Sequence, residues 1–573
     1  MKKFRRTVSV LAASCLFLSC VALAGCGDSS DGPQGDAPSE EELTAVREEL
    51  QNPDHMEGLG ELTKMEHYEN GVRIAGDELV EAKDNKMIYY TADEKRVVNF
   101  SDGYIIDLGL DWVPDFSLSP VRTRYTTDQA VLTITTETNS YDWTMDEFIE
   151  GNFTKFITSS KFRKANNIEQ TKEPYTKTVG EYTATFYNME LKDCPADVMS
   201  HYTYAFITQG ESKDFWFFTL KYQDGAQVDL EPIVDSFQKI RVRGVGVYSK
   251  TFELKVPDFW SDETKEYYER LRNQDHIDWG FFGNQLEKVG MKYELPIIEQ
   301  RLNYKFPVIS QYVHYATSEF PVKLGEMVKE EGRQLQLTYQ YTTSNNTELD
   351  GYTPTLDIYR GKCDDTLREF ARQIKEYGDP VLFRLNNEMN TDWTSYCGMV
   401  NMIDPDIFIE TWVRLYKIFE EEGVDNCIWI FNPFDGSYPP CNWANFINYM
   451  PDSEYVQMIG LTGYESGKQS FRSFRTIYDE IEKNYEPFFM DWPWIISEFG
   501  CGSGDGTKLE EQATWVKEMF DCFEEGRYSN IKVAVWFSGN DYNADGTISN
   551  YYAIDKDNKL FMKAFKQGLE RTQ

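Results

Sequence analysis

From residue 277 onward one pattern recurs eight times: a short apolar run, then a stretch with helical periodicity. The runs are Ile277–Phe282, Pro307–Val313, Gln334–Gln340, Val381–Asn386, Cys427–Asn432, Val456–Leu461, Trp494–Glu498 and Lys532–Phe537. Continuous rather than alternating apolarity describes strands buried on both faces. Leu367, Phe370, Ala371, Ile374 and Tyr377 share one helix face, with Asp364 or Asp365 as the expected cap and Gly378 as the stop. Phe408, Trp412, Leu415, Tyr416 and Phe419 repeat the design before Gly423. Eight βα units fit a (β/α)8 TIM barrel over 250–573. A doubly wound open sheet is the alternative, but no glycine-rich phosphate loop follows the first run, which favours the barrel.

The chain ahead of the barrel divides into three parts. Lys2, Lys3, Arg5 and Arg6 precede the apolar stretch Val8–Ala22, and Leu23-Ala24-Gly25-Cys26 has the form of a bacterial lipobox. Residues 1–26 are therefore expected to be a lipoprotein signal with Cys26 as the lipidated residue, fixing the protein to the extracellular face of the bacterial cell membrane. Residues 27–42 (GDSSDGPQGDAPSEEE) read as a flexible acidic tether. Residues 43–242 read as a smaller α+β domain. Its expected strands are Tyr104–Asp107, Ala130–Thr136, Thr183–Met189, Tyr202–Thr208 and Trp216–Tyr222, with helices at Met145–Ser160 and Leu230–Ile240. The segments GYIIDLGLDWVPD, FWFFTLKY and LEPIVDSFQKI resemble a PsbP-like module. No convergent catalytic set appears there, so a spacer or glycan-contact role is expected.

Composition narrows the partners. The 573 residues carry a formal charge of −37, which becomes −41 without the first 25 residues. Nucleic acid and polyanionic substrates need a basic surface and are disfavoured. Aromatic residues make up 15% of the chain, and aromatic faces suit the C–H face of a sugar as well as a core. Seven cysteines follow Cys26 without a CxxC pair, and the chain has five histidines. Neither a metal site nor a cofactor is expected, and the chain is expected to act as a monomer.

The chemistry gathers where two runs turn polar. VLFRLNNEMNTDW (Val381–Trp393) places Arg384, Asn387 and Glu388 at the end of the fourth strand, and WIISEFG places Glu498 at the end of the seventh. A parallel barrel collects catalytic groups at the carboxyl ends of its strands. Two carboxyl groups facing each other there can perform glycoside hydrolysis, one as acid and base, the other attacking carbon or activating water. Like charges at such a distance push the two groups toward different protonation states.

Residues Ile277 to Phe537 resemble glycoside hydrolase family 26, best known for β-mannanases, through PVLFRLNNEMNTDWTSYCG, IWIFNP, VQMIGLTGY, WIISEFG and AVWFS. The resemblance implies Glu388 as acid/base and Glu498 as nucleophile of a retaining reaction. It further implies that Tyr464 hydrogen-bonds the nucleophile, Trp536 forms a platform under the sugar, and Trp393 lines the cleft. Where the family usually has histidine before the acid/base, this chain has Asn387; elsewhere in the clan asparagine stands there and binds the sugar's 2-hydroxyl. Arg384 is expected to steady the carboxyls, and His314 to meet sugar hydroxyls. Asp278 and Asn432 are weaker candidates, and Glu420–Glu422 and Glu510–Glu511 read as surface charge. The expected protein is an endo-acting hydrolase of a β-linked polysaccharide, β-mannan first and β-glucan or β-xylan next, with a catalytically idle glycan-binding lipoprotein as the alternative.

Overall fold

The computed structural model describes residues 53–74, 83–343, 351–466, 471–504, 506–542, 546–554 and 558–572. Cys26 and the tether 27–42 lie outside the described residues. Among those described, no helix is long and apolar enough to cross a membrane, and all seven cysteines are free thiols. The chain divides into two compact units. One comprises Met1–Phe148, Gln170–Glu190 and Met199–Ser249; the other comprises Ile149–Glu169, Leu191–Val198 and Lys250–Gln573.

The first unit is built on antiparallel sheets of six and seven strands. Ile88, Val97 and Ile106 of the smaller sheet and Leu132, Phe186 and Phe218 of the larger share one core, joined by Leu230 and Val234 of the helix Leu230–Asp235. The five expected strands are present. Strands Lys64–Glu69, Asn85–Tyr90 and Glu94–Asn99 escape a polarity reading because they carry charge inward. Lys86 is 1% exposed, ion-paired with Asp84 and donating to Ser119 Oγ at 2.7 Å. Such pairing is what permits a buried ammonium. The expected helix Met145–Ser160 is instead a short helix, Met145–Ile149, running into a π turn, Glu150–Thr154. The closing helix stops at Asp235, and Gln238–Lys239 pairs as a strand with Tyr104–Ile105.

The second unit is a closed barrel of eight parallel strands. They are β1 Asp278–Gly283, β2 Val308–His314, β3 Gln334–Gln340, β4 Val381–Leu385, β5 Cys427–Phe431, β6 Met458–Glu465, β7 Trp494–Cys501 and β8 Ile531–Ser538. All eight expected runs are present. Val308, Leu382, Ile428, Ile430, Met458, Ile495, Val533 and Val535 point inward and pack together. The helix Asp262–Asn273, capped by Ser261, closes the barrel at the amino ends of its strands. Tyr268 and Leu271 join the interior cluster, and Tyr268 Oη donates to Gln457 O at 2.6 Å. The helix Asp364–Tyr377 begins one residue earlier than expected, with Cys363 rather than an aspartate at its cap; Asp364 instead pairs with Arg414 at 2.7 Å.

The span 43–242 is thus not one continuous domain, because 149–169 and 191–198 belong to the barrel unit. Asn166, 2% exposed, explains part of this. Its Nδ2 donates to Gly351 O at 2.9 Å, its Oδ1 accepts from Thr353 N at 2.8 Å, and its carbonyl accepts from Arg360 Nη2 at 2.7 Å. Thr353 Oγ1 in turn donates to Ser395 O at 2.5 Å, in the loop that follows β4. Asn166→Ala should leave buried backbone groups unpaired and lower the stability of the barrel unit by about 1–3 kcal/mol. A fall in the denaturation midpoint at constant m-value is the check.

Candidate active site

Strand β4 delivers two residues to the mouth of the barrel. Leu382 and Arg384 share the inward parity, and the chain then turns through left-handed backbone at Asn386 (φ 49°) and Glu388 (φ 59°). Such conformations cost a non-glycine residue about 1–3 kcal/mol and persist only where surroundings fix them. Asn386 N donates to Tyr339 O at 2.9 Å and its Oδ1 accepts from Tyr341 N at 2.8 Å. Glu388 N donates to Asn432 O at 2.9 Å.

Strand β7 needs a different device. Ile495 points inward, so strict alternation would turn residue 498 outward toward the helices. The pairing with β8 slips between Ile496 and Phe499, and the pairing with β6 slips between Leu461 and Thr462. A bulge adds the residue that reverses the parity. Phe499 therefore packs outward against Trp515 and Trp536, and Glu498 turns into the mouth.

Glu498 is met by a converging set of donors. Oε1 accepts from Tyr464 Oη at 2.9 Å. Oε2 accepts from Tyr312 Oη, lies 3.0 Å from Arg384 Nη2, and is 3.4 Å from Asn387 Nδ2. Arg384 is fully buried; it also donates to Tyr312 Oη at 2.7 Å, to Thr338 Oγ1 at 2.7 Å and to Asn432 Oδ1 at 3.4 Å. Burial alone would lower the guanidinium pKa, but Tyr312 and Glu498 more than offset it and hold the group charged. Asn387 is fixed from behind, its Oδ1 accepting from Gln340 Nε2 at 2.8 Å and Tyr396 Oη at 3.2 Å.

Glu388 stands in contrast. It accepts from Trp393 Nε1 at 2.9 Å. Burial first, and then the charge of Glu498, push its pKa up to about 8; Trp393 and Arg384 oppose the rise without cancelling it. A proton held on Glu388 near neutral pH, facing a carboxylate held by hydroxyl, guanidinium and amide donors, is an arrangement for donating that proton. A cleft of about 850 Å³ is lined by Glu388, Asn387 and Tyr312 together with Phe282, His314, Trp393 and Phe537. Among the described residues, no group of histidine, cysteine or carboxylate side chains could hold a metal ion.

The structure brings together Arg384, Asn387, Glu388, Trp393, Tyr464 and Glu498, and His314 lines the same cleft. Trp536 is the exception. It is fully buried on the outward side of β8, donates from Nε1 to Tyr552 O at 2.9 Å and packs against Phe561 and Phe565, so it offers a sugar no platform. With Val533 and Val535 inward, the next inward position is Phe537, which stacks on Phe282 at 4.6 Å. Asp278 lies at the opposite end of the barrel, paired with Arg270 at 3.0 Å. Asn432 is buried between Arg384 and Thr462 Oγ1, to which it donates at 2.8 Å. Glu421 and Glu422 pair with Arg368 at the surface. Tyr312 and Gln340 carry no role in the sequence reading, and Tyr396 stands there only as an aromatic in the family 26 spacing; the parity of Val308, Ser310 and Tyr312 on β2 is the signal that points to the first.

Residues 349–491 match the family model described as glycosyl hydrolase family 26. The resemblance read in the sequence therefore holds over a segment containing Glu388 and Tyr464, and Glu498 lies just beyond it. Endoglucanase H of Acetivibrio thermocellus is 26% identical over 244 residues, which are 41% of this chain and 25% of that protein. A mannan endo-1,4-beta-mannosidase of Bacillus subtilis is 28% identical over 122 residues, 20% of this chain and 31% of that one. The chain thus spans about a quarter to a third of the length of these relatives. A solved β-mannanase of Bacteroides ovatus covers 54% of this chain and 93% of its own at 14% identity, with a TM-score of 0.40.

Because the folded protein binds the Glu388 proton more tightly than the unfolded chain, stability on this account falls as pH rises from about 4.5 through about 8. Glu388→Gln should flatten that fall, and Glu498→Gln should move the Glu388 carboxyl titration, followed by 13C NMR, toward lower pH. Trp536→Ala should cost about 3–5 kcal/mol of stability, as other large buried aromatics do. Phe537→Ala, at the cleft wall, should instead weaken substrate binding, read as a rise in KM.

Proposed function

We propose that the protein is a glycoside hydrolase that cleaves a β-linked polysaccharide within the chain and with retention of configuration, β-1,4-mannan being the substrate. The observation that carries this reading is the unlike environment of the two carboxyls. Glu388 keeps its proton to about pH 8, whereas Glu498 accepts hydrogen bonds from Tyr464 and Tyr312 and pairs with Arg384. Glu388 protonates the glycosidic oxygen while Glu498 attacks the anomeric carbon; Glu388, now a carboxylate, then takes a proton from the water that releases the sugar. The open cleft and the half-exposed Trp393 at its rim suit a polymer lying across the barrel mouth. The family 26 match and the Bacillus subtilis mannosidase favour mannan.

A second reading, β-glucan, is favoured by the likeness to Endoglucanase H and by Asn387 in place of the family's histidine. The lipobox at Cys26 supports anchoring on the outer face of the cell membrane, and the first unit serves as a spacer or glycan contact in this reading. The catalytic segment works as a single copy.

The test incubates the mature protein with mannans, mixed-linkage glucans and xylans and follows reducing ends and anomeric configuration. Mannan should be cut internally, with the β-anomer released first. Glu388→Gln and Glu498→Gln should each lose at least about 10³-fold in kcat. No product from any of these polymers, or full activity in both variants, would remove the assignment.

A further inference from the structure

The two oxygens of Glu498 are not equivalent. Oε2 faces Tyr312 Oη, Arg384 Nη2 at 3.0 Å and Asn387 Nδ2 at 3.4 Å, whereas Oε1 faces Tyr464 Oη at 2.9 Å. A carboxylate oxygen offers two in-plane lone pairs. Three donors converge on Oε2, whereas among the described residues Oε1 meets one donor and keeps a lone pair open.

Tyr312 imposes much of this asymmetry. Arg384 has only protons to give, and its Nη2 lies 2.7 Å from the phenol oxygen, so that oxygen accepts there. The single phenol proton is then directed at Glu498 Oε2. The ring is held edge-on to Phe282 at a centroid distance of 5.0 Å, which fixes the phenol's reach. Burial, reinforced by the neighbouring Glu498, keeps Tyr312 protonated far above the ordinary phenol range despite the opposing charge of Arg384.

We propose that Tyr312 is a positioning residue that reserves Oε2 of Glu498 as the spectator oxygen and leaves Oε1 as the attacking atom. This rests on the reading of Glu498 as nucleophile. In the first step a lone pair of Oε1 forms the bond to the anomeric carbon. The glycosidic C–O bond breaks, its electron pair goes to the leaving oxygen, and that oxygen takes the proton of Glu388. Oε1 becomes the ester oxygen and Oε2 the carbonyl oxygen, still facing Tyr312 and Arg384. In the second step Glu388 takes a proton from water, the water oxygen bonds to the anomeric carbon, and the C–Oε1 pair returns to Glu498. Without the phenol, Oε2 keeps only Arg384 Nη2 at 3.0 Å and the long 3.4 Å contact to Asn387 Nδ2, and the donor difference between the two oxygens shrinks.

The direct test traps the ester with 2-deoxy-2-fluoro glycosyl fluorides of manno and gluco configuration and determines the structure of the adduct. The bond is expected at the oxygen facing Tyr464, with the other oxygen still held by Tyr312. A bond at the oxygen facing Tyr312 overturns the inference and leaves Glu498 as nucleophile; no adduct at Glu498 with either sugar removes the nucleophile reading itself. Tyr312→Phe keeps the ring and its packing on Phe282. It should lower kcat about 10²-fold, as loss of one preorganised donor does, with KM within about threefold. An unchanged kcat, or an equal loss in kcat and rise in KM, in a variant with native thermal stability would overturn the positioning role.

Discussion

A guanidinium with no exposure to water sits near the axis of this barrel, and the functional end of the molecule is arranged around it. Arg384 cannot shed its charge, so burial is tolerable only if every face of the group finds an acceptor. Thr338 on β3, Tyr312 on β2, Asn432 after β5 and Glu498 on β7 supply them. Three of these acceptors stand on strands and the fourth just past the end of β5. Satisfying one cation therefore fixes the end of β7 relative to β2, β3 and β4, with none of which it shares a hydrogen-bonded ladder, and the bulge in β7 turns Glu498 to meet it. Without the slip beside Ile496, the carboxylate that neutralises Arg384 would face the helices.

The same cation sets the difference between the two carboxyls. Arg384 is in contact with Glu498 and reaches Glu388 only through the field, where it opposes the rise caused by burial and by Glu498. One positive charge lies against Glu498 and reaches Glu388 only at a distance, so it opposes but does not cancel the rise that burial and Glu498 impose on Glu388. In the proposed reaction, the two carboxyls are thus set apart by burial and by their unequal distance from a single buried charge. Trp393 adds an orienting bond to Glu388 without supplying a compensating charge.

Strands buried on both faces announce themselves as apolar runs, and all eight barrel strands were legible for that reason. Glu388 and Glu498 were legible because polarity changes abruptly where such runs end. What remained hidden depended on relations between strands. The outward turn of Trp536 follows from the parity of Val533 and Val535, a clue present in the chain but masked by tryptophan's suitability for both roles. Glu498 shows the reverse, since alternation along β7 alone would send it the wrong way. In the first unit, Lys86 and Asp84 hide a strand because their charges cancel inside the fold rather than outside it. The attachment of 149–169 to the barrel was equally unreadable: Asn166 meets Gly351 and Thr353, far along the chain, through bonds that leave no local periodicity.

Asn387 shows how the chemistry and the choice of sugar are separated in this site. Its amide oxygen is occupied by Gln340 and Tyr396, so its amide nitrogen must turn toward Glu498, with which it makes only a long contact of 3.4 Å. The orientation follows from donor and acceptor complementarity, because Gln340 Nε2 can only donate. A donor held this loosely by the carboxylate remains able to bond a hydroxyl placed above it. The acid, the nucleophile and the cation between them would operate on either a mannosyl or a glucosyl unit. On the proposed reading, discrimination between the two would fall to groups such as Asn387, whose partners lie on β3 and in the loop after β4. The reaction is written in the axis of the barrel and the substrate in its rim.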